Sequence, residues 1–286
     1  MKIDVVLLTK NSVKPCLREC LYSVCNNIPI SRLIVVDGNS CDDTVETIME
    51  IQRSKRPKIE LIYDSGTRGS ARQKGIEAVE TEYFAFVDSD VILCDYWFQK
   101  AFKLMKNDVG AVWGVAIDTE RLWKNWTLAI CRIGGLTIGE FYVRSGRMRG
   151  QLHDTLIKTE SVKDIHIPSE LHSYEDEYIR RHIEKRGFKW LPTLNPFCYH
   201  FKPHHDVFSE SYSTASLGKH YGYFPPKLFM KHLSLSIPRA LLILFISRNT
   251  EVFTMDLFKE IGFVLGWLGC ARSKFWQKEC YFVHVR

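Results

Sequence analysis

A chain of 286 residues and 33.3 kDa, 45% hydrophobic and 25% charged, can bury a sizeable core, and its composition excludes a disordered or low-complexity protein. The net charge is +6, and residues 227–286 hold nine Lys/Arg against four Asp/Glu, so five of the six surplus charges are C-terminal. A basic tail that is also apolar points to an anionic membrane surface, and with no basic stripe interleaved with aromatics elsewhere a nucleic-acid partner is excluded.

Met1-Lys2-Ile3-Asp4-Val5 enters a strand pattern directly, without a signal-peptide apolar region, so residence on the cytoplasmic side is expected. Strands are predicted over 3–9, 33–37, 59–63 and 83–88, with helices over 15–26, 44–54 and 70–81 between them. This alternation predicts an α/β fold with a doubly wound, mostly parallel sheet flanked by helices. Beyond Asp90 the pattern turns mixed: helix 97–105, strand 110–115, an unassigned Trp- and Gly-containing stretch 121–145, strand 151–157, a charged helix 177–186, and short strands 189–191 and 197–201. Past Pro203 comes a polar, aromatic stretch, 209–223, which Pro225-Pro226 breaks. Two apolar segments follow, 238–246 and 257–268, each shorter than the ~20 residues of a bilayer span and edged with Arg or Lys. They predict a C-terminal helical appendage over 206–286, with peripheral membrane contact through 238–278; a helical hairpin packed on protein, or on a second subunit of a homo-oligomer, is the alternative. The nine cysteines contain no C-x-x-C pair, so reduced, mostly buried thiols are expected rather than a zinc site or a disulfide framework.

Asp88-Ser89-Asp90 closes the apolar run Tyr83-Phe84-Ala85-Phe86-Val87. Strands apolar on both faces belong to parallel sheets covered by helices, and such sheets bind ligands beyond the carboxyl ends of their strands. Two carboxylates at that mouth suit Mg²⁺ or Mn²⁺ held against a diphosphate, whereas a plain acidic turn is the alternative for any single D-x-D.

Four motifs in order resemble family 2 glycosyltransferases, the inverting nucleotide-sugar enzymes of GT-A fold. The first strand ends in Thr9-Lys10-Asn11, where that family opens its base pocket, and the second leads into Asp37-Gly38-Asn39-Ser40-Cys41-Asp42-Asp43-Thr44. Gly69-Ser70-Ala71-Arg72-Gln73-Lys74-Gly75-Ile76 matches the stretch before the metal-binding strand, Asp88-Ser89-Asp90 the metal motif, and Tyr174-Glu175-Asp176 the downstream acidic pair. Gln73 stands where the family often has Asn, and Cys41 where threonine is common. No glutamine- and arginine-rich acceptor motif of the processive synthases is present, which favours transfer of one sugar.

The resemblance implies a GT-A-like catalytic domain over 1–205, with a nucleotide half (1–90) and an acceptor half (91–205). It implies a UDP- or GDP-sugar donor and a sugar or lipid-linked acceptor. Asp90 becomes the direct ligand of Mn²⁺ or Mg²⁺, Asp88 holds ribose or a metal-bound water, and His200 adds a third metal or phosphate contact that tilts the preference to manganese. Thr9, Asn11, Asp37, Ser40 and Ser89 line the donor crevice, and Arg72 reaches a phosphate. Asp176 becomes the base that deprotonates the acceptor hydroxyl. Arg147 and Arg149 flank a glycine-containing turn and could meet phosphate or a phospholipid acceptor. Plainer alternatives stand beside these: a turn former for Asn11, a structural histidine for His200, a dipole-stabilised helix-start acid for Asp176, and a solvated loop for Arg147 and Arg149. A sugar nucleotidyltransferase would want a glycine in the loop after the first strand, where Thr9-Lys10-Asn11-Ser12-Val13 has none, and no G-x-G-x-x-G supports a dinucleotide oxidoreductase. A non-catalytic nucleotide-binding scaffold is disfavoured by the intact Asp88, Asp90 and Asp176.

Overall fold

The first strand, β1 (Ile3–Thr9), is buried over nearly its whole length, because helices cover both faces of the sheet it joins. The computed structural model describes residues 1–55, 57–201 and 206–269. They form two compact units, one of residues 1–119 and 139–201, the other of residues 120–138 and 206–269.

In the first unit β1, β2 (Ile30–Asp37), β3 (Ile59–Tyr63) and β4 (Tyr83–Asp88) run parallel. They alternate with α1 (Leu17–Asn27), α2 (Thr44–Lys55) and α3 (Arg68–Ala78). Then come β5 (Val91–Leu93), α4 (Trp97–Leu104), β6 (Val109–Asp118), α6 (Ile138–Met148), β7 (Asp154–Lys158), α7 (Glu175–Lys185) and β8 (Lys189–His200). The sheet order is β3-β2-β1-β4-β7-β6-β8-β5, with β7 antiparallel to both of its neighbours and β5 antiparallel to β8. Val5, Leu7, Val35 and Val87 pack on one face with Leu17, Leu21, Ile48 and Trp97 from α1, α2 and α4. On the opposite face α3 approaches so closely that a Cβ on Gly75 would run into the Val6 side chain.

Three predicted features differ. The strands foreseen over 189–191 and 197–201 are one strand, β8, which pairs with β6 throughout and loops out Leu194, Asn195 and Pro196 between the partners of Gly114 and Val115. The unassigned stretch is two helices, α5 (Arg121–Gly134) and α6, separated at Gly135, whose left-handed φ of 60° suits glycine at a helix C-terminus. The start of α7 lies two residues earlier than foreseen and brings Glu175 and Asp176 into its first turn.

The second unit is helical: α5, α8 (Val207–His220), α9 (Pro226–Ser247) and α10 (Thr250–Leu268). Pro225-Pro226 starts α9 rather than merely breaking the chain, since proline is pre-organised for a first helical turn, and the helix continues through Pro238. The apolar segment foreseen over 238–246 is therefore part of a 22-residue helix. All seven cysteines among the described residues are free thiols, five of them buried. Lys274, Lys278, Arg272 and Trp276, part of the predicted membrane-contact set, lie outside the described residues.

Candidate active site

Three parallel strands end together: Thr9 lies opposite Asp37, and Leu8 opposite Asp88. The winding reverses at β1, with β2 and β3 to one side and β4 to the other, which is where an open α/β sheet leaves a ligand crevice.

On the β2 side the fully buried Asp37 organises the turn. Its Oδ2 accepts the hydroxyls of Thr9 at 2.7 Å and Ser40 at 2.6 Å, and its Oδ1 accepts the Ser40 backbone N–H at 2.7 Å. Asn11 sits at φ 49°, a left-handed conformation that asparagine tolerates, and links the two turns. Its N–H donates to Ser40 Oγ at 2.8 Å and its Oδ1 accepts the Cys41 N–H at 2.8 Å. Asp42 and Thr44 extend this lattice, Thr44 Oγ1 accepting the Ser12 N–H at 2.7 Å. The side chains of Thr9, Asn11, Asp37 and Ser40 thus form one polar wall, held largely by bonds among themselves.

On the β4 side Arg72 of α3, only 4% exposed, donates Nη2 to Asp88 Oδ1 at 2.5 Å and lies over the Phe86 ring at 4.6 Å. Its Nε and Nη1 are buried without a hydrogen-bond partner. Burial by itself would raise the Asp88 carboxyl, but Arg72, with His153 and His200 nearby, brings it down to about 2. That pairing stabilises the fold above the ordinary carboxylate range and is lost as the pH falls through about 2. Ser89 Oγ reaches back to Ser12 Oγ at 3.1 Å and joins the two sides of the crevice.

Asp90, its side chain 21% exposed, faces His200 Nε2 at 3.3 Å across the β5/β8 pairing, while His200 Nδ1 lies 3.5 Å from Asp118. Neither Asp118 nor His153, whose ring is 4.7 Å from that of His200, was marked by any motif. Asp154, fully buried, accepts the Trp97 Nε1–H at 2.8 Å, and burial pushes its carboxyl well above the usual range. Among the described residues no group of three or more His, Cys, Asp and Glu converges on one point. Asp90 Oδ2 and His200 Nε2 do converge, and two protein ligands suit a cation that takes its remaining ligands from diphosphate and water.

Asp176 opens α7 behind the left-handed Tyr174. The Glu177 N–H holds its Oδ1 at 2.7 Å, and Arg149 Nη2, stacked over the Tyr174 ring, lies 3.5 Å from Oδ2. Burial pushes the carboxyl up to about 6 against the pull of Arg149, with Glu175 adding to the rise. The chain ties the start of α7 to the crevice: Gly150 N–H donates to Glu177 Oε2 at 2.8 Å, and three residues later the His153 carbonyl accepts the Asp88 N–H at 2.9 Å. Three residues of chain span at most about 11 Å. Arg147 is exposed at the end of α6, and Lys74 pairs with Asp64 at 3.3 Å. Gln73 clamps the segment leading to α7, donating to the Ile165 carbonyl at 3.2 Å and accepting the Ile167 N–H at 3.0 Å.

The description Glycosyl transferase family 2 matches residues 4–165, more than half of the chain and most of the crevice just described. The chain belongs to that family. Solved structures of family 2 glycosyltransferases share its GT-A fold. TarS of S. aureus, residues 1–349 with UDP-GlcNAc, is 16% identical over 93% of this chain and 89% of its own, with a TM-score of 0.60. The mannosyltransferase PcManGT of Pyrobaculum calidifontis, with GDP-Man and Mn²⁺, is 14% identical over 94% and 88%, with a TM-score of 0.65. Glucosyl-3-phosphoglycerate synthase of Mycobacterium tuberculosis, with Mn²⁺, UDP and glucosyl-3-phosphoglycerate, is 14% identical over 77% and 80%, with a TM-score of 0.51. No curated protein matches the chain.

In this glycosyltransferase the two acids of Asp88-Ser89-Asp90 have different structural weight. Asp88→Ala would leave the buried Arg72 charge unpaired, and the expected cost is about 3–5 kcal/mol. Urea unfolding should show a clear drop in midpoint for Asp88→Ala; an unchanged midpoint would mean that the pair contributes nothing to the fold.

Proposed function

We propose that the protein is a metal-dependent, inverting glycosyltransferase that moves one sugar from a UDP- or GDP-sugar to an acceptor hydroxyl. The observation that carries this reading is the Arg72–Asp88 pair at the carboxyl end of β4 with the Asp90–His200 pair two residues further along the chain, together with the Asp176 carboxyl, raised to about 6, at the start of α7.

Asp90 and His200 would hold Mn²⁺ or Mg²⁺, with Asp88 at the ribose or at a metal-bound water. Once bound, the cation supplies electrostatic stabilisation of the charge that develops on the departing diphosphate. Arg72 has two buried nitrogens, Nε and Nη1, to offer a phosphate, and buried donors that lack a protein partner call for a ligand or water. Thr9, Asn11, Asp37, Ser40 and Ser89 would form the wall against which the nucleoside lies.

Asp176 would act as the base. With a pKa of about 6 it is ionised at neutral pH yet basic enough to take a proton in the transition state. The acceptor hydroxyl gives its proton to Asp176, its oxygen bonds to the anomeric carbon, and the bond from that carbon to the diphosphate oxygen breaks. Attack from the face opposite the leaving group inverts the anomeric centre. A lipid-linked acceptor would bring the chain to the cytoplasmic face of a membrane, with contact through 238–278.

Two measurements test the reading. UDP or GDP with Mn²⁺ should raise the melting temperature, because a ligand of the folded state stabilises it. Proton NMR of the slow hydrolysis of the stabilising α-linked donor should then show the β-sugar first. Release of the α-sugar would rule out inversion, and no stabilisation by either nucleotide would rule out the donor class.

A further inference from the structure

Helix α9 has its polarity reversed relative to a helix on a water-exposed surface. On such a helix the apolar stripe faces the core and the polar residues face water. Here His232, Ser236 and Arg239, spaced four and three residues apart, share one face and turn inward. Leu235, Ile237, Leu241, Leu242 and Phe245 are exposed, the last at 78%. At 3.6 residues per turn the exposed positions sweep roughly 200° of the helix.

The inward charges are paired within the helical unit. Arg239 meets Asp256 of α10 at 3.1 Å and also Glu260, His232 Nε2 lies 2.7 Å from Glu260, and Trp126 Nε1 of α5 donates to Asp256 at 2.8 Å. Ionisable residues in apolar surroundings turn to the bundle interior and pair with one another in this way. α10 adds a second, independent feature: Gly262 and Gly266, four residues apart, let α8 approach until a Cβ at either would run into the carbonyl oxygen of Phe208 or Tyr212. Small residues at that spacing are how helices pack where water provides no hydrophobic drive.

We infer that the outward face of α9 is buried in the acyl region of an anionic lipid bilayer. This deepens the membrane contact proposed above and stands apart from the chemistry of sugar transfer. At 22 residues and about 1.5 Å each, α9 is about 33 Å long, close to the ~30 Å hydrocarbon thickness. Its most apolar 18-residue window has a mean hydropathy of 1.5, and only 22% of that window is buried within the protein. Between His232 and Ser247 the one formal charge is the inward Arg239, whereas Lys227, Lys231 and Arg248 lie at the ends, where anionic headgroups would meet them. Protein interfaces carry polar rims and hydrogen-bonding groups, and the exposed positions over this central stretch offer only Ser234.

The test is flotation of the full chain with phosphatidylcholine vesicles, with and without about one third phosphatidylglycerol, beside a Leu241→Gln/Phe245→Gln variant. The wild type should float with both vesicle types, more strongly with the anionic one, and the variant should partition at least tenfold less. Both positions are exposed, so circular dichroism and the melting temperature should be unchanged in the variant, and UDP or GDP binding by the catalytic unit should be equal in the two proteins. A wild type that stays down with both vesicles, or that sediments as a dimer that the variant disrupts, would overturn the inference in favour of a second copy or the chain's own residues. A variant that floats as well as wild type, or binding confined to anionic vesicles and abolished by salt, would overturn it in favour of the basic tail alone.

Discussion

Asp90→Ala should lower kcat by about 10³-fold or more while leaving the melting temperature within a few degrees of wild type. Among the described residues Asp90 pairs with no lysine or arginine; it lies 3.3 Å from His200 and is partly open to solvent. Its loss therefore strands no buried charge, and the damage falls on metal and diphosphate binding. The contrast with Asp88→Ala is diagnostic, because there the fold itself should weaken. Steady-state kinetics with saturating donor and Mn²⁺ decide the matter: Asp90→Ala with near-normal kcat would remove the metal assignment.

The second large effect is expected at Asp176. Asp176→Asn keeps the shape and the bond from the Glu177 N–H but cannot accept a proton, so transfer should fall by about 10²–10⁴-fold with donor binding retained. In the wild type, kcat should rise with pH through about 6 and level off above it, as a base that works in its ionised form requires. Stability should move the other way. A folded-state pKa raised from 3.8 to about 6 means that the native protein binds the proton more tightly than the unfolded chain. The favourable contribution is therefore complete below about pH 4 and is lost as the pH rises through about 6. At pH 7 the ionised acid costs the fold about 3 kcal/mol, so Asp176→Asn should be at least as stable as wild type. A variant that is both fully active and less stable would place the base elsewhere.

Residues 1–90 were legible because their strands are short apolar runs in strict alternation with helices, and a strand end is a fixed address for Asp37 and Asp88. Residues 91–201 were not, for reasons visible in single residues. Pro192 and Pro196 break the strand pattern of β8 into two pieces, yet its pairing with β6 carries the strand across both. Gly134 and Gly135 amid the tryptophans hid the boundary between α5 and α6. In α9, Pro226 and Pro238 read as breaks, although one occupies a first helical turn and the other lies on the exposed side. His153, Asp154 and Asp118 could not be foreseen as neighbours of the proposed site. They arrive there through the antiparallel β4–β7 pairing and the β6–β8 register, which local sequence does not encode.

The proposed function requires a cation held by Asp90 and His200 against a nucleoside diphosphate. Calorimetric titration of UDP and GDP into the protein, with Mn²⁺ and with chelator, measures that directly, in wild type and in Asp90→Ala. One of the two nucleotides should bind the wild type at least tenfold more tightly with Mn²⁺, and Asp90→Ala should lose that gain. Equal affinity with and without metal, or a metal effect undiminished in Asp90→Ala, would contradict the mechanism.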